Sequence, residues 1–533
     1  MEETLIPEWV DIQAKATNGY DILGLRQPAQ NIGYFLFNGV TTISPRVRIL
    51  SIRAWLIKAF SERGLPDNYS SLIDFVSRVE CAISLGILAH DRSASSIPGA
   101  IRGRKLIDQG KKIIQLERLL DQMGFLAYAG PSYDLLISFE RENYVSGLTK
   151  ERGFSLALTF EELIKSTQFY NLLKKNPAIK SVSINVLREL GSAIDIDNIG
   201  VKECNALLDA ILPQNIHEGA RESERNRLLF YTLVLELALR HQRIPDEDDI
   251  FDVAVNPAPG LPDVLSPTLD GFLLYLMRDS LAVLHEAALD IISNELERAD
   301  GYADANELII HIVEEMIDIG LQKIRLISSK EKHTSISWNT LVNRVEAQLK
   351  KKSFRNGLWR WETGIDENAI ISLASENKET SIGLLPLAWY LCQRRLDKDN
   401  NEDSKLEYLS QQGGARMGLA QVLFPELQKW KKLNPSIAEI SGWLIKRTVE
   451  QHLRISWSRM SVDFNRDVAV IISDGEKWRF RKNFEGGRTA SRVGEAIDWL
   501  RQLGLIDEAG LPELGKSILT RNYKTLALVN GAL

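Results

Sequence analysis

The sequence predicts a mainly α-helical protein of several domains, a multi-domain helical bundle with a small β-hairpin near its C-terminal end. Three observations predict this. Apolar residues recur at the helical period through most of the 533 residues. Helix start signals stand ahead of several of those runs. Only one stretch, Val468 to Arg481, has the residue types and alternation of paired strands.

The helices follow in order of their signals. Leu281, Leu284, Ala288, Ile291 and Ile292 fall on one helix face. Glu218 to Arg243 reads as one long helix, with Leu228, Leu229, Leu233, Leu235, Leu237 and Leu239 crowding several faces, so it belongs inside a bundle. Asp304 and Glu307 have capping-box spacing ahead of Leu308-Ile309-Ile310, and Ser436 and Glu439 repeat it ahead of Trp443, Leu444 and Val449. The uncharged run Thr380 to Gln393 is shorter than the ~20 residues a membrane helix needs. Gly383 and Pro386 interrupt it, so it reads as buried core.

Breaks divide the chain. Asp91 to Gly99 is Ser-rich and ends in Pro-Gly. Pro257, Pro259, Pro262 and Pro267 stop helices between them. Asp397 to Ser404 is a polar run expected as a solvated loop. The expected divisions are an N-terminal helical domain at 1–135, a second at 136–256, a central helical bundle at 257–435 and a C-terminal module at 436–533. No repeat of fixed period is present, which excludes a solenoid.

Composition narrows the function classes. Hydrophobic residues are 44 % and charged residues 26 %, ordinary values that exclude wholesale disorder and coiled-coil rods. Lys and Arg number 65 against 71 Asp and Glu, a net charge of −6. That excludes coating nucleic acid over the whole surface and leaves room for a local basic patch. Cys81, Cys204 and Cys392 are far apart in sequence, so neither a disulfide framework nor a local zinc knuckle is expected. The start, Met-Glu-Glu-Thr-Leu-Ile-Pro-Glu-Trp, is acidic where a signal peptide is basic, and the expected location is cytoplasmic.

The C-terminal segment carries the main functional expectation. Val468-Ala-Val-Ile-Ile472 and Lys477-Trp-Arg-Phe-Arg481 flank Asp474-Gly475, the signal of a type I′ hairpin. Trp478 and Phe480 point to one face, and Lys477, Arg479 and Arg481 to the other. A helix follows with Val493, Ala496, Ile497, Leu500 and Leu503 as its stripe and Gly504 as its stop. Leu505-Ile506, the turn Asp507 to Gly510, Leu511 and a helix from Leu514-Gly515-Lys516 complete it. This succession resembles the wing end of a winged-helix domain over about forty residues, which completes the fold class with a winged-helix-like C-terminal module. The resemblance implies either DNA binding or protein docking. Arg466 to Arg492 carries seven cations and four acids on an acidic chain. Arg479, Arg481, Lys482, Arg488 and Arg492 are the candidate contacts to phosphate or to an acidic protein surface. A solvated strand face accounts for the same cations, and both readings stand.

Other motifs lack their context. Gly510 to Ser517 matches GxxxxGK[ST], yet sixteen residues after it leave no room for a nucleotide-binding sheet. His90-Asp91 has no upstream histidine and reads as a helix end. Asp474-Gly475-Glu476-Lys477 has nuclease residue types on a hairpin turn, without nuclease spacing. Glu307, His311, Glu314 and Asp318 share a helix face, and His285, Glu286 and Asp290 share another. Facing helices of this kind hold metals in some bundles, although the required Glu-x-x-His is missing here.

Tyr20-Asp-Ile-Leu-Gly-Leu-Arg-Gln-Pro28, Asn38-Gly-Val-Thr41 and the run Arg46 to Trp55 resemble the opening of a group of uncharacterised bacterial proteins with a DPLGLQ-P start and an N-V-T-x-R-x-R-Y-Y-S-F helix. This chain departs from the pattern with Ile43-Ser-Pro-Arg-Val-Arg-Ile-Leu-Ser-Ile52. The group is similar to accessory proteins of mobile-element or phage-defence loci, and the resemblance assigns no catalytic residue. Arg46, Arg48 and Arg53 among apolar neighbours suggest a core helix with snorkelling arginines or a basic edge.

The expectation is a non-catalytic DNA- or partner-binding component of a larger bacterial assembly, without cofactor, metal or membrane. Its partner would be duplex DNA or a protein subunit with an acidic surface, in a hetero-complex. The alternatives are a pure scaffold for an ATPase or nuclease, and an enzyme with a dispersed metal site around His311 and Glu314.

Overall fold

The helical period read from the sequence becomes helix along most of the chain. The computed structural model describes residues 21–40, 46–120, 123–141, 143–216, 218, 221–349, 352–355, 358–361, 365–396, 422–462, 468–488 and 491–529. It is mainly helical, with 65 % helix and 8 % strand. The strands are short and pair antiparallel. None of the described helices is long and apolar enough to cross a membrane. The polar run Asp397 to Ser404 lies outside the described residues.

The chain gathers into two compact units, each assembled from separated segments. The first comprises Met1–Gly33, Phe251–Pro262 and Leu269–Thr489; the second comprises Tyr34–Ile250, Asp263–Thr268 and Ala490–Leu533. Residues 436–533 therefore contribute to both. The hairpin belongs to the first unit, and the helices Val493–Gln502 and Glu513–Val529 belong to the second.

In the second unit, helices Tyr69–His90 and Ile184–Ile194 cross at Gly86 and Gly191. A Cβ on Gly191 would lie 2.0 Å from the Gly86 carbonyl oxygen, so only glycine permits the approach. Helix Arg48–Ser61 packs on Gly153–Ile164 and is buried along nearly its whole length. Its arginines do not snorkel. Arg48 and Arg53 are each 1 % exposed, because internal acceptors hold both. Arg48 makes a bidentate bond to the buried Glu203. The helix expected over 218–243 runs Arg221–His241 and packs on Glu513–Val529, where Asn522 donates to Thr232 and Tyr523 to Glu236. Gly504 takes φ +68° after Val493–Gln502, as a helix stop requires. A tight turn closed by the Asp507–Gly510 bridge leads to the last helix.

In the first unit, helices Ala305–Lys323 and Thr380–Arg395 cross at Gly320 and Gly383, a second glycine–glycine approach. Both capping signals are realised. Asp304 accepts the N–H of Asn306 and Glu307, while Ser436 and Glu439 cap one another ahead of helix Ile437–Val462. The apolar run read as core is buried in Thr380–Arg395. Trp389, Trp430 and Trp443 lie within 5.5–5.7 Å of one another, with Trp338 5.2 Å from Trp430. From Leu269 on, helix Ser266–Arg298 runs through this core with buried polar residues, among them Asp279, His285, Glu286 and Asp290. Each is matched. Arg488 pairs with Asp279, Trp389 and Thr448 flank His285, Arg26 pairs with Glu286, and Lys378 pairs with Asp290.

Candidate nucleic-acid interface

The hairpin is built as its residue types require. Strands Ile471–Asp474 and Lys477–Phe480 pair in register, Ile472 opposite Arg479 and Asp474 opposite Lys477. Gly475 takes φ +63° as the first residue of a two-residue loop, and Glu476 does not share the positive φ. That sign pattern belongs to a type II′ turn, so the expected type I′ is corrected.

The hairpin does not stand alone. Tyr302–Asp304 pairs antiparallel with Lys477–Arg479, which makes Lys477–Phe480 the central strand of three. The pleat then sorts the faces. Trp478 is buried at 5 % exposure, while Lys477, Arg479 and Arg481 are exposed. On the outer face Tyr302, Arg479 and Ile472 form one cross-strand row. Asp304, Lys477 and Asp474 form the next. Tyr302 is 42 % exposed, with the Lys477 ammonium 4.8 Å and the Arg479 guanidinium 5.9 Å from its ring centroid. Cations over a ring face are attracted by its quadrupole, which holds these two near the tyrosine.

Charge is uneven along the face. Lys477 lies between two acids, although Asp304 already caps a helix. Arg479 has Tyr302 and Ile472 opposite instead. Its positive charge is therefore the one least offset by its cross-strand neighbours.

The five candidate cations separate. Arg479 is exposed on the strand, and Arg481, also exposed, directly follows its last residue with its backbone N–H on the Val470 carbonyl. Lys482 is half-exposed and begins the segment that leaves the sheet, its carbonyl accepting the Ser293 hydroxyl. That segment is fastened along helix Ser266–Arg298. Gly486 sits against the Glu286 backbone, where a Cβ would meet the carbonyl carbon at 3.1 Å. Arg488 then pairs with the buried Asp279 at 2.9 Å and stacks 4.6 Å from the Phe251 centroid. Arg492 belongs to the second unit, takes left-handed φ +68° and donates to the Val40 carbonyl. Arg488 and Arg492 thus serve internal contacts, because a buried carboxylate and an open backbone carbonyl take their donors. Tyr302 was missed in the sequence. It joins the hairpin by a pairing that spans more than 170 residues, and its only local signal is a short Tyr-Ala-Asp segment between two helices.

The remaining motifs resolve simply. Lys516 of the GxxxxGKS segment bonds Glu513 in the first turn of helix Glu513–Val529. Gly510 (φ +102°) packs on the Ala238 carbonyl, and no loop of N–H groups forms a phosphate cradle there. His90 ends its helix. His311 faces Glu295 at 3.8 Å on the surface, whereas Asp318 turns to the buried His333, which donates its backbone N–H at 2.8 Å. Among the described residues no group of three or more His, Cys, Asp or Glu could hold a metal ion.

Comparison with known proteins returns no matching family model, no similar curated protein and no similar solved structure.

Proposed function

We propose that the chain is a non-catalytic binding component of a larger bacterial assembly of the phage-defence kind, and that the outer face of the three-stranded sheet takes the backbone of duplex DNA. One observation carries the reading. Arg479 is exposed on the central strand beside Tyr302 and Arg481 is exposed just past the strand's end, while Trp478 on the opposite face anchors the strand in the core. Residues two apart in extended chain stand about 6.8 Å apart, and the Tyr302 ring holds the Arg479 guanidinium before any partner arrives. Guanidiniums match phosphate oxygens in charge and fork geometry.

The footprint is small. Arg479 and Arg481 contact one phosphate each, Lys482 supplies a third cation, and Lys477 is offset by Asp304 and Asp474. Each phosphate contact adds about 0.9 to the log–log salt slope, so the expected slope is about 2 to 3.

The test is fluorescence anisotropy with a ~30-base-pair duplex across a salt series, on the wild type and on Arg479→Glu with Arg481→Glu. Salt-sensitive binding that the folded variant loses supports the reading. Unchanged binding in the variant removes these arginines from the site. No binding at low salt moves the face to an acidic protein subunit and the chain to the scaffold class.

A further inference from the structure

A larger positive excess than that of Arg466 to Arg492 lies in the middle of the first unit. Residues 322–355 carry nine Lys or Arg against two Glu, a net +7 on a chain of −6. Both glutamates are already engaged. Glu331 accepts Nη2 of Arg344 at 2.6 Å. Glu346 accepts Arg394, which lies outside the segment, and the Tyr390 hydroxyl. Lys332 faces Asp318 at 3.3 Å. Arg325 is exposed and makes no ion pair among the described residues.

Part of this charge lines a groove. The end of helix Ala305–Lys323, the loop after it and helix Trp338–Gln348 enclose an open space of about 620 Å³. Arg325, Ser328, Ser329, Gln322 and Gln348 line it, beside the Arg344–Glu331 pair. The loop is tied to the helix, since the Arg325 carbonyl accepts Gln348 Nε2 at 3.0 Å and the Leu326 carbonyl accepts Arg344 Nη1 at 2.7 Å. The groove is therefore held in shape by its own side chains.

A basic, aromatic hairpin adjoins it. Strand Lys352–Arg355 begins four residues after Gln348, a reach of at most about 14 Å, and pairs with Leu358–Trp361. Phe354 stands opposite Trp359, their ring centroids 5.0 Å apart, and Phe354 is 37 % exposed. The Lys352 ammonium rests 4.5 Å from the Trp359 centroid. Arg360, its side chain on the other face, is buried on Asp270 and anchors the hairpin.

We infer that the groove and the hairpin together bind single-stranded nucleic acid, its phosphates at Arg325 and Lys352 and a base stacked on Phe354. Clustered cations beside an exposed ring suit a chain that carries both phosphates and open base faces. A duplex keeps its base faces inside the stack, and an acidic peptide offers the ring no planar partner. The serine hydroxyls and glutamine amides of the groove add neutral donors for phosphate and sugar oxygens. The inference is independent of the duplex reading, because the two surfaces share no residue.

Fluorescence anisotropy of the full chain with a ~20-base thymidine oligonucleotide across a salt series tests this. An abasic strand of the same length and a poly-glutamate of the same charge are each expected to bind at least about fivefold more weakly, because neither stacks. Phe354→Ala is expected to lose at least about fivefold in affinity, and Arg325→Ala to lower the salt slope by about 0.7. Arg479→Glu with Arg481→Glu is expected to bind this strand like the wild type. No binding at low salt, or equal binding of the abasic strand or of poly-glutamate, overturns the inference. Unchanged affinity in Phe354→Ala, an unchanged slope in Arg325→Ala, or loss of binding in the Arg479 and Arg481 variant overturns the site. The abasic comparison on the wild type decides the matter alone if a variant does not fold.

Discussion

Trp389 donates its indole N–H to Nε2 of His285 at 3.0 Å, in the core of the first unit. That bond fixes the tautomer. Nε2 accepts, so Nδ1 carries the proton and donates to the Thr448 hydroxyl at 2.7 Å, which in turn donates to the Leu444 carbonyl. A second proton on His285 would set N–H against N–H in a dry site. Burial accordingly lowers its pKa to about 3.

His285 makes the protein acid-sensitive. Its folded pKa lies below the unfolded value of about 6.5, so the unfolded chain binds the extra proton first. Stability is lost as pH falls below about 6.5, by at most about 1.4 kcal/mol per pH unit from this group. Urea unfolding followed by tryptophan fluorescence between pH 7 and 5 checks it. The His285→Gln variant is expected to be less stable at pH 7 and to lose that part of the slope.

Glu286, the next residue, acts with the opposite sign. It is fully buried against Arg26, and desolvation raises its pKa to about 7. The folded state therefore holds the proton more tightly than the unfolded chain. Stability contributed by the neutral form falls as pH rises from about 4.5 to 7. Between pH 5 and 6.5 the two neighbours oppose each other. Glu286→Gln is expected to steepen the rise of stability with pH across that window, and His285→Gln to flatten or reverse it. Parallel curves for both variants would contradict the assignment.

The glycine crossing sets a tight limit. Gly191→Ala places a methyl 2.0 Å from the Gly86 carbonyl oxygen and forces two helices apart. Overpacking of this kind costs about 1–3 kcal/mol, and a backbone obstacle puts it at the upper end. Gly494→Ala meets no atom within 4 Å inside helix Val493–Gln502, so it is expected to stabilise by about 0.5–1 kcal/mol. Thermal melts of the two variants should move in opposite directions.

Arg488 and Arg479 separate stability from binding. Arg488→Ala removes a guanidinium from the buried Asp279, a charged hydrogen bond contributing about 1.5–3 kcal/mol. Its salt slope for DNA is expected to match the wild type. Arg479→Ala, on the exposed face, is expected to leave the melting temperature nearly unchanged and to reduce the slope by about 0.9.

Arg395 and Glu367 test the price of a half-removed ion pair. Both are fully buried, doubly hydrogen-bonded, and Arg395 lies 3.4 Å from the Trp361 centroid. Glu367→Leu leaves the cation buried without its carboxylate and is expected to cost about 3–5 kcal/mol by urea unfolding.

The hairpin and the helices were legible because their signals are local. Asp474-Gly475, the Ser436–Glu439 cap and the leucines of Arg221–His241 each act within a few residues. The candidate face was legible in half. Alternation put Arg479 and Arg481 outward and Trp478 inward, but nothing local distinguishes them from Arg488 or Arg492.

By itself the sequence determined the helical class, the caps, and the position of the turn and the pleat of the hairpin, since periodicity and backbone propensity are properties of neighbouring residues. Tertiary structure alone decided which cations stay exposed, that Tyr302 completes the sheet, and that Arg53 is buried with only neutral acceptors. A charged side chain is solvated, paired or stranded according to what distant segments bring beside it, and that proximity is set by packing.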